Sequence, residues 1–116
     1  MPQATVQPRS SAVPYHLEIR TLHHSVLRLV EPISVVILPE RQRVVAYAPD
    51  IEMYGYGEDL AGALSDLREA IVDLYFDLHA QSGSLGKSLE RIWAYLKSVI
   101  EESDVGRRNP EALPKT

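Results

Sequence analysis

The chain lacks cysteine altogether, which excludes disulfide bonds and thiolate-bound metals. It also lacks any apolar run near the ~18 residues that a membrane-spanning helix needs. Its first residues, MPQATVQPRSSAVP, have no apolar core of the signal-peptide kind. Positive charge is scarce as well, because 12 Lys and Arg face 16 Asp and Glu, for a net charge of -4. We therefore expect a cytoplasmic protein without a membrane segment, and DNA binding that is absent or weak and salt-sensitive.

Motifs of phosphate binding, metal binding and nucleophilic catalysis are missing too. The chain has no P-loop, no GxGxxG loop, no GxSxG elbow and no HxxxH or HExxH pair. His23 and His24 are adjacent, so in a strand they would point to opposite faces. We interpret all the histidines as loop or surface residues: His16, His23, His24 and His79. The sequence thus predicts no metal site, no cofactor and no catalytic residue.

The chain does contain enough apolar residues for one core. Its 116 residues, 45% of them hydrophobic, fit a single domain. The two ends offer too little apolar surface to offset the entropy that is lost on ordering. We expect a disordered N-terminal arm over residues 1–14, one α+β domain over 15–103 and a flexible tail over 104–116.

The first half of the domain carries strand patterns. Alternating or β-branched segments are separated by polar turns, which favours strands. Two of these segments flank the polar residues 39–42 and form a hairpin pattern. The predicted strands are YHLEIRTL (15–22), SVLRLVE (25–31), ISVVIL (33–38), RVVAYA (43–48) and a short segment at 54–57.

The second half changes to a helical period. One apolar stripe predicts a helix of about 20 residues, with Asp59 as its N-cap and with Gly62 costing up to ~1 kcal/mol. A second amphipathic helix follows QSGSLG. The stripes consist of Leu60, Ala63, Leu64, Leu67, Ala70, Ile71, Leu74 and Leu78, and of Leu89, Ile92, Trp93, Leu96, Val99 and Ile100. This order indicates an α+β fold: an antiparallel sheet of three to five strands, with one long helix packed on it and a second C-terminal helix.

The stretch VAYAPDIEMYGYGED (45–59) holds four acids and three tyrosines. Converging carboxylates can hold a metal for phosphodiester hydrolysis, so a metal-dependent nuclease or hydrolase using Asp50 and nearby acids is an alternative function. Such an enzyme needs several acids on neighbouring rigid strands. The predicted strands supply only Glu18 and Glu31, which favours turn and cap roles for the acids of this stretch.

Val72 and Phe76 form a second apolar patch on the long helix. They are rotated by roughly 100 to 140° from its main stripe. Either the second helix of the same chain or a partner subunit could cover them, and both alternatives stay open. Together with strand edges that need protection, the patch predicts a homodimer or larger oligomer with Val72 and Phe76 as contacts. A homo-oligomeric scaffold is therefore a further alternative function.

Residues 33–78 resemble the HicB-like antitoxin family. The shared pattern is a hairpin, Tyr47 with Pro49-Asp50-Ile51, then Gly57-Glu58-Asp59 and a helix with an early Ala63. The resemblance implies a partial RNase H-like fold without the usual acidic set. It also implies a non-catalytic antitoxin, or a solitary relative of one, that would cover the basic surface of a small RNA-cleaving toxin of the HicA type. The predicted partner-binding residues are Asp50, Glu52, Tyr54 and Tyr56.

Overall fold

Five strands precede the two helices in the computed structural model, as the α+β prediction requires, and a sixth strand follows them. The structure describes residues 13–103, so the predicted tail and all of the predicted arm except Val13 and Pro14 lie outside the described residues. The elements are β1 (Tyr15–Ile19), β2 (Leu27–Leu29), β3 (Ile33–Pro39), β4 (Val44–Ala48), β5 (Met53–Gly57), α1 (Leu60–Ala80), α2 (Lys87–Val99) and β6 (Ile100–Glu102). The predicted short fifth strand is confirmed as β5. Within residues 13–103, no helix is long and apolar enough to cross a membrane.

Four of the strands form an antiparallel sheet in the order β1-β3-β4-β5. Because side chains alternate along a strand, one face of this sheet holds Ile33, Val35 and Ile37, which are fully buried in the core with residues of both helices. The opposite face contributes nothing to that core. We call it the open face; its strand residues are His16, Glu18, Ser34, Val36, Leu38, Val45, Tyr47, Tyr54 and Tyr56.

Helix α1 packs directly on the backbone of β5. A Cβ atom on Gly55 would lie 2.5 Å from the carbonyl oxygen of Ala63 and 2.7 Å from the Cα of Leu67. At Gly57 a Cβ would lie 2.5 Å from the carbonyl carbon of Gly62. Such separations are far inside van der Waals contact. The glycines of β5 therefore set how closely the helix approaches the sheet, and Gly62 lies at the same contact.

The predicted stripe of α1 is confirmed at its centre. Its buried residues are Ala63, Leu67, Ile71, Tyr75 and Leu78. Tyr75, which the stripe did not include, packs its ring 5.1 Å from that of Trp93 in α2 and donates a hydrogen bond from its hydroxyl to Glu102 at 3.1 Å. This one side chain therefore links α1 to both α2 and β6.

Asp59 caps α1 as predicted. Its Oδ1 accepts a hydrogen bond from the Gly62 N–H at 2.8 Å, and its backbone is extended. Replacing Asp59 with alanine leaves that N–H without its partner and should lower the free energy of unfolding by about 1 kcal/mol. Asp59→Asn keeps a side-chain acceptor, so in urea denaturation it should lose less than half as much. Equal losses in both variants would show that the charge, rather than the cap, is what counts.

The C-terminal end of the fold differs from the prediction. Helix α2 ends at Val99, and Ile100 starts β6, so the predicted helical role of Ile100 is wrong. β6 pairs antiparallel with β2, placing Leu29 opposite Ile100, and an ion pair joins Arg28 to Glu101. The distant β2 thus supplies the backbone partners that draw Ile100 into a strand. Leu89, which the predicted stripe of α2 includes, is 41% exposed and does not belong to the core cluster.

Candidate partner-binding surfaces

Asp50 and Glu52 lie in the tight connection between β4 and β5. Ile51 between them is fully buried and anchors the turn, and its N–H donates to the carbonyl oxygen of Ala48 at 3.3 Å. Both acids are exposed. Glu52 has a φ of 57°, in the left-handed region where a residue with a Cβ is uncommon. The buried Ile51 thus holds the two acids in a fixed turn.

Both acids contact helix α2 rather than the tyrosines of β5. Glu52 lies 3.6 Å from the guanidinium of Arg91. Asp50 lies beside Tyr95: burial raises the pKa of the Tyr95 hydroxyl to about 12, and the charge of Asp50 with a side-chain hydrogen bond adds to this rise. These contacts tie the β4–β5 turn to α2, so they give Asp50 and Glu52 a role within the chain.

The phenol of Tyr95 should therefore ionise late. Its folded-state pKa of about 12 lies above the ordinary value of about 10, so the contribution of Tyr95 to stability is complete below pH ~10 and is lost as the pH rises towards ~12. Ultraviolet titration of the phenolate should lose its latest component in Tyr95→Phe. In Asp50→Asn this component should move down but stay above the ordinary value, since burial is the larger cause. An unchanged curve in Tyr95→Phe would contradict the assignment.

Tyr54 and Tyr56 lie on the open face, where they are 47% and 46% exposed. Tyr47 is paired with Tyr54 across the strands, and their rings stack with centroids 4.5 Å apart. The Tyr56 ring follows at 6.2 Å from that of Tyr54, and the guanidinium of Arg43 lies 4.7 Å above its centroid. The structure therefore separates the predicted tyrosines from the predicted acids.

Val72 and Phe76 have different surroundings. Val72 is half-buried and packs against the core, while Phe76 stays 42% exposed. The Phe76 ring lies 5.9 Å from the ring of His24, whose Nδ1 accepts hydrogen bonds from the N–H groups of Val26 and Leu27. A loop thus flanks Phe76. The aromatic contacts from α1 to Trp93 of α2 come instead from Tyr75 and His79.

A cleft opens next to Phe76. It has a volume of about 180 Å³, and its lining consists of Leu22, His23, His24, Arg68, Glu69, Val72 and Asp73. The acids at this place were not singled out from the sequence. Their signal was nevertheless present, because Glu69, Asp73 and Asp77 follow one another at four-residue spacing and so share one helix face.

The candidate catalytic acids lie in separate places. Asp59 is the cap of α1, Asp50 lies beside Tyr95 and Glu18 is paired with Arg20 at 2.9 Å. Over residues 13–103, no three His, Asp or Glu side chains are placed so that they could hold a metal ion. The nuclease alternative stays a hypothesis for direct assay.

No family model, curated protein or solved structure matches the chain. The HicB-like interpretation therefore depends on the pattern in residues 33–78. In the structure these residues form the hairpin β3–β4, the strand β5 and the helix α1.

Proposed function

We propose that the chain is a non-catalytic, HicB-like protein-binding domain that acts in the cytoplasm. It neutralises a small, basic, RNA-cleaving toxin by covering the toxin's RNA-binding surface. The observation that carries the proposal is the exposed Phe76 beside an acid-rimmed cleft. An aromatic anchor next to a pocket is the arrangement that supplies most of the binding energy in protein interfaces.

The cleft suits the side chain of a lysine or arginine. Leu22 and the half-buried Val72 line the cleft, which gives it an apolar wall for an aliphatic stem. The exposed carboxylates of Glu69 and Asp73 can then contact the charged end. The cationic Arg68 also lines the cleft, with its Nε donating to the carbonyl oxygen of Thr21 at 2.9 Å, so the lining sets two carboxylates against one guanidinium. The chemistry on offer is therefore recognition of a basic residue.

Charge supports the same type of partner. Over residues 13–103, no Lys or Arg forms an ion pair with Glu69, Asp73 or Asp77, so these carboxylates are available. The whole chain carries a net charge of -4. A surface of one sign steers a partner of the opposite sign and speeds association at low salt.

This surface replaces the one predicted for the partner from the sequence. Asp50 and Glu52 are engaged with Tyr95 and Arg91 of α2. The combination of free acids with an exposed aromatic ring is present instead around Phe76, which the sequence had assigned to self-association. We accordingly place the toxin contact on the exposed face of α1.

Inhibition of the toxin tests the proposal. The candidate toxin is a small basic protein encoded beside the gene for this chain, and its cleavage of RNA is measured with increasing amounts of the purified chain. Wild type should abolish cleavage at equal molar amounts, and Phe76→Ser should weaken inhibition by roughly tenfold or more. Leu89→Ser is the matched control, because Leu89 is equally exposed, at 41% against 42%, but lies on α2.

Two results would contradict the proposal. One is toxin activity that persists at an excess of wild-type chain, and the other is an equal loss of inhibition in the Phe76 and Leu89 variants. The same assay without toxin tests the alternative enzyme. Cleavage of RNA by the chain alone that needs Mg²⁺ or Mn²⁺ and is lost in Asp50→Asn would favour a metal-dependent nuclease.

A further inference from the structure

We infer that the open face is the contact between two copies of this chain, which pack sheet against sheet about a twofold axis. The inference concerns a surface distinct from the proposed toxin contact. Side by side across the sheet, His16, Val36, Tyr47 and Tyr54 form one row and Leu38, Val45 and Tyr56 form the next. Two such faces would stack about 10 Å apart, as in a β-sandwich.

The two rows are largely apolar although no part of the core lies beneath them. Val36, Leu38 and Tyr47 are half-buried and Tyr54 and Tyr56 nearly half-exposed, so these five side chains present the surface, whereas Val45 is only 3% exposed and presents almost none. The aromatic and aliphatic surface is contiguous, unlike the scattered apolar residues of an ordinary surface. Tyrosines provide apolar rings with polar tips, which makes them frequent at protein interfaces.

Stacking of the tyrosines argues against single-stranded nucleic acid as the ligand. Bases bind on the flat faces of exposed aromatic rings. Here the Tyr47 and Tyr54 rings lie 27° from parallel and those of Tyr54 and Tyr56 lie 11° from parallel, so neighbouring rings cover part of each other's faces. Arg43 covers Tyr56 in turn. The parts of these tyrosines left exposed are mainly their hydroxyls and ring edges, which suit contact with another protein surface.

The charges bordering the open face match a second copy better than a basic protein. Glu18 is paired with Arg20 at 2.9 Å, and Glu40 with Arg43 at 2.8 Å. Each pair is neutral as a whole, so the face carries no excess of negative charge to attract a basic toxin. Two identical neutral faces can meet without placing like charges opposite each other.

The size of the face sets the expected affinity. Four strands at a spacing of ~4.8 Å and lengths near ~20 Å give a face of roughly 400 Å² in projection. Stable interfaces bury about 800 Å² of accessible surface per partner. The open face is therefore only about half of this size, and we expect a weak dimer that dissociates in the micromolar range.

Sedimentation equilibrium of the full chain tests the inference. Wild type should show a monomer–dimer equilibrium, and Tyr54→Arg should raise the dissociation constant at least tenfold, since it replaces an apolar ring of the contact with a charge. Tyr15→Arg is the matched control: Tyr15 is 44% exposed and belongs to the same sheet, but it lies in register with Ile37 on the other face. The dimer of Tyr15→Arg should have the same dissociation constant as the wild-type dimer.

Footprinting of the wild type by hydroxyl radicals keeps the test valid if Tyr54→Arg does not fold. Tyr54 and Tyr56 should become protected as the concentration rises, whereas Tyr15 should not. A chain that stays monomeric at several hundred micromolar overturns the inference, as does association lost in Phe76→Asp but kept in Tyr54→Arg.

Two further results would overturn the inference by assigning the open face to another contact. Protection at every concentration would assign it to residues of the same chain, and Tyr54-dependent binding of a single-stranded oligonucleotide would assign it to nucleic acid. Toxin inhibition unchanged in Tyr54→Arg would leave the proposed function standing in all these cases.

Discussion

Replacing Gly55 with alanine should lower the free energy of unfolding by about 3 kcal/mol, the upper part of the range for overpacking a core. The added methyl group would meet the backbone of α1 within 2.5 Å at the Ala63 carbonyl oxygen and 2.7 Å at the Leu67 Cα. A backbone cannot change rotamer, so the helix has to move away from β5 and separate Leu67 from the core. Urea denaturation followed by circular dichroism measures the loss.

Gly83→Ala is the control for this substitution. Gly83 lies in the turn after α1, where a Cβ would meet nothing within 4 Å, and its φ is not positive. Alanine there restricts the unfolded chain and should leave stability unchanged or raise it by up to about 1 kcal/mol. If Gly55→Ala were as stable as Gly83→Ala, the close approach of α1 to β5 would be wrong.

The close approach also shows where prediction from the sequence ends. The period of two in β1, the β-branched runs of β3 and β4 and the three-and-four spacing in α1 were sufficient to predict the sheet, the long helix and its Asp59 cap, because each is a local pattern. Gly62 was counted only as a cost to the helix. A Cβ on Gly62 would lie 3.5 Å from the Cα of Gly57, and that relation joins two elements whose distance no local pattern encodes.

The candidate surfaces also divide into residues that a local pattern predicts and residues whose position depends on distant parts of the chain. Tyr54 and Tyr56 are two residues apart in one strand, so their common face was predictable from alternation alone. The direction of Asp50 and Glu52 was not, since it depends on the turn at Ile51 and on Arg91 and Tyr95, more than 35 residues later. Residues that are neighbours in VAYAPDIEMYGYGED thus belong to two surfaces.

The pairing of β2 with β6 is the largest feature that the sequence did not predict. Each strand has only three residues, too few for a periodic signal. Their pairing nevertheless decides where α2 ends and fixes it beside α1. The remaining question is whether α2 unfolds in one cooperative step with the sheet or separately from it.

Leu96→Ala answers that question and should have an effect as large as Gly55→Ala. Leu96 is fully buried within the core cluster, so removing its side chain leaves a cavity and should cost about 3 kcal/mol. Leu89→Ala, in the same helix but 41% exposed, should cost less than about 0.5 kcal/mol. The sequence placed both leucines on one stripe, and the structure predicts that they differ about sixfold or more.

Two probes make the measurement decisive. Trp93, the only tryptophan, reports on α2 by fluorescence, while circular dichroism reports on the whole domain. If α2 and the sheet form one cooperative unit, Leu96→Ala should shift both urea transitions to the same lower midpoint with an unchanged slope. A fluorescence transition that moves while the dichroism transition stays in place would mean that α2 opens on its own. In that case the contacts of Asp50 and Glu52 with α2 would open with it, and both acids would become free to bind a partner as the sequence had predicted.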